Sequence, residues 1–305
     1  MTPPKSSALV ELSSQLAGAV EHAGKSIVAI HARRRIPSSG IVWRDGVIVS
    51  ASHTVKRDKD VEVSLSTGDT TTATVVGRDA ATDLVALRIS GKAPVADRAD
   101  ANALRVGSLV LAVGRPGKNV TASFGIVSAV GEGWRTWQGS RIDRVARLDL
   151  SVYDGFSGGA LVDASGAVLG VNNSALARGT PMALPASAVD RVLDELLERG
   201  HVRRAFIGVA VHPVALSAAL VKQHQLPHET ALVVMSVAEG APAEKAGVFV
   251  GDVLVEADGQ SLRRPTDLLD ALSGVREGSS LQLKLLRGGS LKSVSIAPAD
   301  RGGRE

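Results

Sequence analysis

Three segments of this 305-residue chain carry the residue types of nucleophilic catalysis. His53 follows an apolar run, Asp83 precedes another, and Ser157 lies in a Gly-rich turn. A serine hydroxyl is a weak nucleophile at neutral pH, so it needs a neighbouring base, and imidazole titrates in the right range. A buried carboxylate can hold that imidazole in one tautomer and stabilise its protonated form. The three residue types therefore indicate acyl transfer.

Each segment alone is weak evidence, because a lone histidine, a Thr-Asp turn or a Ser-Gly-Gly loop is usually structural. Together they follow the chain order His, Asp, Ser of the chymotrypsin arrangement, each at the edge of a predicted strand. The joint pattern predicts a triad of His53, Asp83 and Ser157. Glycines beside the serine would let backbone N–H groups face a developing oxyanion.

The elements that must position these residues are mostly strands. From residue 24 to about residue 184, short β-branched runs alternate with Gly, Asp or Pro turns. This pattern is typical of sandwiches and barrels, and a stretch of about 160 residues suits two small barrels packed together. The predicted strands include residues 26–32, 47–50, 61–65, 71–76, 84–89, 108–113, 121–130 and 167–171.

Helical periodicity predicts amphipathic helices over residues 8–22 and 188–199, each followed by a glycine. With typical domains of roughly 100–200 residues, two domains are expected. We expect an N-terminal extension over 1–23, a β-barrel domain over 24–200, a hinge over 201–205, a second unit over 206–298 and a tail over 299–305.

Composition excludes some classes of function. The chain has no cysteine, which rules out disulfides, thiol nucleophiles and thiolate metal sites. Its net charge is +4, but the basic residues are scattered, and the clusters at 33–35 and 203–204 lack interleaved aromatics. Solvated loop charges are therefore favoured over nucleic-acid binding.

Targeting signals are not evident in the sequence. No apolar run of secretory length follows Lys5, and no stretch approaches the roughly 18 apolar residues of a membrane span. As written, the chain is expected to be cytoplasmic, or periplasmic (extracytoplasmic) if a signal has been removed.

The segments resemble motifs of the HtrA/Deg family of trypsin-like serine proteases. Residues 49–55 resemble the family's histidine motif, residues 75–89 its aspartate block and residues 154–161 its nucleophile motif. Residues 166–173 are similar to the strand beside the substrate, and residues 182–185 resemble the family's Phe-Ala-Ile-Pro. The resemblance implies a mainly β double β-barrel, chymotrypsin-like protease domain.

By this resemblance His53 is the general base, Asp83 its orienting partner and Ser157 the nucleophile. The backbone N–H groups of Gly155 and Ser157 would form the oxyanion hole. The reaction would be two-step acyl transfer without a cofactor or metal. The substrate-binding residues implied in the same way are Asn173, Ser174, Ala175 and Leu176.

The chain departs from the family pattern near the nucleophile. Phe156 stands where the family has Asn, Asp154 and Ala160 replace prolines, and Ser52 precedes the histidine where Asn or Ala is common. Bulk and negative charge there could distort the oxyanion loop. A catalytically silent relative, acting as a peptide-binding chaperone or adaptor, is therefore the alternative to an active protease.

The second unit resembles an HtrA-type PDZ domain, which has an α+β fold. Residues 206–209 (Phe206, Ile207, Gly208 and Val209) resemble its Tyr-Leu-Gly-Val carboxylate-binding loop, and residues 232–247 and 251–259 match later blocks. Consecutive N–H groups would hold a peptide C-terminus, and Leu269 and Leu272 would hold the terminal side chain. A vestigial domain that only packs is the alternative.

Taken whole, the resemblance implies an endopeptidase that cleaves unfolded or misfolded polypeptides in protein quality control, with the PDZ domain recruiting peptides. A hydrolase of small esters is a further alternative from the triad alone. Many relatives form homotrimers through aromatic-rich N-terminal segments, whereas this one has no aromatics before residue 43. A homotrimer is therefore only an open expectation.

Overall fold

The computed structural model describes residues 7–301 except 34, 101–103, 136–140, 177–180 and 277. The chain divides into two compact units, with the boundary between Val202 and Arg203. Among the described residues, no helix combines the length and apolar character needed to cross a membrane.

The first unit begins with helix α1, Ala8–Gly24. Ser7 caps it, with its side-chain oxygen accepting a hydrogen bond from the Val10 N–H. Ala19 and Ala23 are buried, while the first turns of the helix expose Leu9 and Val10. The helix predicted for residues 8–22 is confirmed, but only its C-terminal half has a buried face.

Six strands form the first closed barrel, in the order β1-β2-β3-β6-β5-β4. They are β1 (Ile27–His31), β2 (Ser38–Arg44), β3 (Val47–Ala51), β4 (Val61–Ser64), β5 (Thr70–Asp79) and β6 (Leu84–Ile89). Its interior is aliphatic and includes Ile30, Ile48 and Leu87, all fully buried. A 3₁₀ turn, Ser52–Thr54, follows β3 directly.

The second closed barrel has the order β10-β11-β12-β9-β8-β7. Its strands are β7 (Leu109–Gly114), β8 (Thr121–Arg135), β9 (Arg141–Asp149), β10 (Ala160–Val162), β11 (Val168–Asn173) and β12 (Met182–Pro185). Helix α2, Ala186–Arg199, follows β12 at once and ends at Gly200.

A shared core joins the barrels and α2. Trp43 from the first barrel, Val171 from the second and Leu193 from α2 belong to one buried cluster. The Trp43 indole N–H donates to Asp190 of α2 at 2.8 Å, so the one polar atom of this buried ring is satisfied. The two barrels are thus fixed to each other by packing.

The second unit has a sheet in the order β14-β15-β16-β18-β19, with β17 on β16 and a separate pair formed by β13 and β20. The strands are β13 (Ala205–Phe206), β14 (Val209–Ala215), β15 (Thr230–Val237), β16 (Val253–Ala257), β17 (Gln260–Ser261), β18 (Leu281–Arg287), β19 (Ser290–Ile296) and β20 (Ala299–Asp300). The helices are α3 (Ala218–His224), α4 (Pro242–Lys245) and α5 (Pro265–Ser273).

The observed architecture confirms the predicted fold class, a double β-barrel followed by an α+β domain. One boundary differs. The sequence pattern predicts a tail from residue 299, but Ala299 and Asp300 form β20 and pair with Phe206 and Ala205. Two-residue strands have no hydrophobic periodicity, so this pairing leaves no local signal.

An ion pair between a buried carboxylate and a partly exposed arginine stabilises the second unit. Arg287 donates two hydrogen bonds of 2.7 Å to the carboxylate of Asp252, which is 2% exposed and also accepts the Phe249 N–H. Burial alone would raise the pKa of the Asp252 carboxyl, but the hydrogen bonds from Arg287 and Phe249 outweigh it and lower the pKa. The folded state therefore favours the ionised form of the Asp252 carboxyl.

We expect Asp252→Asn to lower the free energy of unfolding of this unit at pH 7 by about 2 kcal/mol, because a charge-assisted pair is lost. Since the folded-state pKa is depressed, the stabilisation is present above the ordinary Asp pKa of about 3.9 and disappears as the pH falls through the folded value. Hydrogen exchange of amides 203–301 in the whole chain measures both effects. Exposed Glu239→Gln is the control, and a difference that grows in acid would contradict the assignment.

Candidate active site and peptide-binding loop

His53 and Asp83 meet because their strands are neighbours. The β3–β6 ladder ends at the pair Ala51 and Leu84, and the Ser52 N–H donates to the Asp83 carbonyl at 2.8 Å. Just beyond it, the His53 Nδ1 lies 2.5 Å from Asp83 Oδ2, and the His53 backbone N–H donates to Oδ1 at 2.8 Å. A carboxylate only accepts, so Nδ1 carries the proton and Nε2 is left as a base.

Asn173 is a third member of this pair, with a role that the sequence did not reveal. Its side-chain amide donates to Asp83 Oδ2 at 2.8 Å, and its oxygen accepts the N–H groups of Ala175 and Leu176. Asn173 is 2% exposed and ends strand β11 of the second barrel. The carboxylate of the first barrel is thus held from the second.

Arg78 fixes the segment that follows the histidine. Its guanidinium donates to the Val55 carbonyl at 2.7 Å, to Asp58 at 2.7 and 3.1 Å, to the Arg57 carbonyl at 3.2 Å, and to both oxygens of Ser52 at 3.3 and 3.4 Å. One planar cation therefore holds both ends of the turn that carries His53.

Ser157 lies in a loop just before β10. The Phe156 N–H donates back to the Tyr153 carbonyl at 3.0 Å, closing a turn with Gly155 near its end. Among the described residues, the N–H groups of Gly155 and Ser157 on either side have no acceptor. The Ser157 hydroxyl is 2.8 Å from the Ser174 hydroxyl, and the hydrogen bonds of the described residues do not join it to His53.

A close backbone approach brings this loop to the histidine. A Cβ added to Gly158 would lie 2.2 Å from Ser50 Oγ and 2.9 Å from the Ala51 nitrogen, so only glycine fits. Ala51 is two residues before His53. The Gly158 N–H also donates to the Asn172 carbonyl at 2.8 Å, beside Asn173. The loop of Ser157 therefore contacts β3, which leads to His53, and β11, which carries Asn173.

Of the four departures from the family pattern, Phe156 and Ala160 are buried, Asp154 is exposed, and Ser52 is half-buried in the histidine turn. Phe156 is completely buried, and its ring packs edge-to-face on Tyr153 with centroids 5.4 Å apart. Ala160 is buried in β10, whereas the Asp154 side chain is exposed. The bulk of Phe156 is accommodated by the core, which sequence alone does not reveal.

The other predicted substrate residues lie beside Ser157. Ser174 and Ala175 are exposed directly after β11, and Leu176 is half-buried against the core shared by the barrels. Residues 177–180 lie outside the described part of the chain.

In the second unit, residues 206–209 run from the end of β13 through Ile207 and Gly208 to the start of β14. A Cβ on Gly208, at φ +84°, would lie 2.2 Å from the Ala241 Cβ and 3.3 Å from the Phe206 ring. Among the described residues, the N–H groups of Ile207 and Gly208 have no acceptor. β14 pairs with β15 and otherwise borders the sheet, which leaves an edge beside the loop.

The two predicted groove residues differ in exposure. Leu269 of α5 is 38% exposed, whereas Leu272 is largely buried in the core of the unit. Arg301, directly after β20, is a neighbour of Phe206 that the sequence did not predict. Its guanidinium lies 5.2 Å from the centre of the Phe206 ring, and its backbone N–H donates to the Arg204 carbonyl at 2.9 Å.

Known protein families match the two units of the chain separately. A trypsin-like peptidase domain matches residues 38–171 and a PDZ domain matches residues 205–297. The first match spans most of both barrels and contains His53, Asp83 and Ser157. The second contains the 206–209 loop and α5.

Curated relatives named probable periplasmic serine endoprotease DegP-like cover most of the chain. The protein of Brucella suis is 32% identical over 89% of this chain and 55% of its own length, and that of Rhizobium meliloti is 32% identical over 87% and 53%. The chain thus spans about half the length of these relatives. Their names do not support the expected cytoplasmic location.

The chain also superposes on solved structures of serine proteases. The serine endoprotease from Yersinia pestis superposes with a TM-score of 0.75 at 27% identity, covering 93% of this chain and 97% of its own. The HtrA-type protease AlgW with a decapeptide has a TM-score of 0.75 at 26% identity, covering 94% and 98%. The chain belongs to the HtrA/Deg family of trypsin-like serine proteases, with a PDZ domain after its two barrels.

Proposed function

We propose that the protein is a serine endopeptidase in which Ser157 is the nucleophile, His53 the base and Asp83 its orienting partner. The observation that carries this proposal is the hydrogen bond between His53 Nδ1 and Asp83 Oδ2, which leaves Nε2 as a base beside the Ser157 loop. The Ser157 hydroxyl is hydrogen-bonded to the Ser174 hydroxyl. In the proposed mechanism this hydrogen bond breaks when substrate binds, and the Ser157 hydroxyl donates to Nε2 of His53.

The chemistry then follows in two halves. Ser157 Oγ attacks the peptide carbonyl as Nε2 takes its proton, and the N–H groups of Gly155 and Ser157 stabilise the oxyanion. The imidazolium, held by Asp83, returns the proton to the departing amine. Water, deprotonated by the same Nε2, then attacks the acyl carbon. The bond from this carbon to Ser157 Oγ breaks, and the imidazolium returns its proton to Oγ.

The substrate class we propose is unfolded or misfolded polypeptide, and the role protein quality control. An extended chain can pair with the backbone of exposed Ser174 and with the carbonyl of exposed Ala175, next to Ser157, whereas the Ala175 N–H is already bonded to Asn173. A folded protein rarely presents a free extended segment, so this requirement favours unfolded chains. Since the curated relatives are named periplasmic, we also propose an extracytoplasmic location.

We expect Ser157→Ala to abolish labelling by a fluorophosphonate probe and to lower hydrolysis of casein by about 10⁴-fold or more, because the nucleophile is removed. Ser280→Ala, in an exposed loop of the second unit, should change neither. Unlabelled wild-type protein that still binds unfolded chains would point to the chaperone or adaptor instead. Ester cleavage without casein cleavage would point to a small-ester hydrolase.

We further propose that the PDZ domain binds peptide C-termini at residues 206–209. The unpaired N–H groups of Ile207 and Gly208 support this, together with the free edge of β14 and the partly exposed Leu269. Arg301 adds a positive charge beside Phe206. A terminal carboxylate would accept the N–H groups while the peptide extends along β14.

We expect labelled peptides ending in Val, Leu or Phe to bind at least about 10-fold more tightly as free acids than as amides, measured by fluorescence anisotropy. Gly208→Ala should abolish the preference, since its Cβ would collide with Ala241. Gly259→Ala is the matched control, because it also has positive φ but open space around its Cβ position. Equal binding of acids and amides by the wild-type protein would refute carboxylate recognition.

We propose finally that α1 mediates self-association as a homotrimer. Its first turns expose Leu9, Val10 and Leu12, an apolar face that another copy could bury. Sedimentation equilibrium should give three times the chain mass of 31.5 kDa, and Leu9→Glu with Leu12→Glu should reduce it to one chain. A wild-type mass of one chain at all concentrations would contradict the proposal.

A further inference from the structure

Ser39 of β2 lies at the point where the first barrel meets the Ser157 loop. It is completely buried, as is its neighbour Ser38. The Ser39 hydroxyl donates to the Gly155 carbonyl at 2.6 Å and accepts the Arg115 backbone N–H at 2.8 Å. The Ser39 hydroxyl has one proton, which it donates to the Gly155 carbonyl, so the direction of this hydrogen bond is fixed.

This hydrogen bond fixes the orientation of the peptide group between Gly155 and Phe156, in the loop before Ser157. The peptide joining Gly155 to Phe156 has its carbonyl held by Ser39 and its N–H held by the Tyr153 carbonyl. With both polar groups engaged, this peptide plane cannot rotate without breaking two hydrogen bonds. The N–H groups of Gly155 and Ser157 on either side have no acceptor in the part of the chain that the structure describes, so they stay available.

Ser39 is itself held from three sides. Its carbonyl accepts the Ser50 hydroxyl at 2.7 Å, two residues before Ser52 and the histidine turn. Added Cβ atoms would lie 2.9 Å from Ser39 Oγ at Gly114 and 3.1 Å from Ser39 Cβ at Gly159. The side chain therefore has a defined place in a tightly packed contact.

We propose that Ser39 is a positioning residue of the oxyanion site, acting through the Gly155 carbonyl without touching substrate. The proposal rests on the proposed peptidase function. Losing the hydroxyl would free the Gly155–Phe156 peptide to turn, so that the Gly155 and Ser157 N–H groups no longer converge on one point. Stabilisation of the oxyanion would fall, whereas binding of the peptide at residues 174–176 would not change.

The test compares Ser39→Ala with Ser38→Ala in the whole chain. Ser38 is equally buried on the same strand, but its hydroxyl has no hydrogen-bond partner among the described residues, so it is a matched control. We expect Ser39→Ala to lower kcat by about 10- to 100-fold per titrated active site, with KM within about twofold of wild type. Inhibition by a peptidyl aldehyde, whose hemiacetal oxyanion needs the same N–H groups, should weaken by the same factor. Ser38→Ala should match wild type in all three.

The outcomes separate the two proposals. An inactive wild-type protein refutes the peptidase function itself. An active wild type with Ser39→Ala equal to Ser38→Ala refutes the role of Ser39, as does a rise in KM at unchanged kcat. If Ser39→Ala does not fold, Ser39→Cys keeps the volume with a weaker donor, and its kcat must then fall below that of wild type at unchanged KM; an unchanged kcat refutes the proposal.

Discussion

The arrangement of the candidate site depends on the carboxylate of Asp83, which accepts hydrogen bonds from both barrels. It accepts the ring and backbone N–H groups of His53 from its own barrel and the amide of Asn173 from the other. Three donors on one carboxylate fix its orientation, and the hydrogen bond to Nδ1 in turn fixes the orientation of the His53 imidazole. Because Asn173 ends the strand that precedes Ser174, and Ser174 contacts Ser157, the same hydrogen bond helps to position Ser157 relative to His53.

Packing makes that contact possible. The barrels share a core with α2, and Gly158 lets the serine loop approach the end of β3 closely enough for their backbones to touch. Two arginines secure the connecting segments. Arg78 holds the histidine turn, and buried Arg115 donates to the carbonyls of Gly24, Ile27 and Lys118. Burial lowers the pKa of Arg115, and carbonyl acceptors supply its hydrogen bonds.

Much of this arrangement could be predicted from the sequence. Residue type and order were sufficient to nominate His53, Asp83 and Ser157, and alternating β-branched runs indicated barrels, because both signals are local. The roles of Asn173, Arg78 and Ser39 could not be predicted, since they depend on hydrogen bonds to residues 90, 20–26 and 116 positions away. The burial of Phe156 and the pairing of β20 are equally invisible to periodicity, because each depends on which surfaces meet after folding.

We propose that His53 and Ser157 act together where the two barrels meet. A crystal structure of the chain after reaction with a peptidyl phosphonate tests it most directly. We predict phosphorus bonded to Ser157 Oγ, a phosphoryl oxygen about 3 Å from the nitrogens of Gly155 and Ser157, and His53 Nε2 within hydrogen-bond distance of the adduct. An adduct on another residue, or one that the His53 ring cannot reach, would show that these two side chains do not act together.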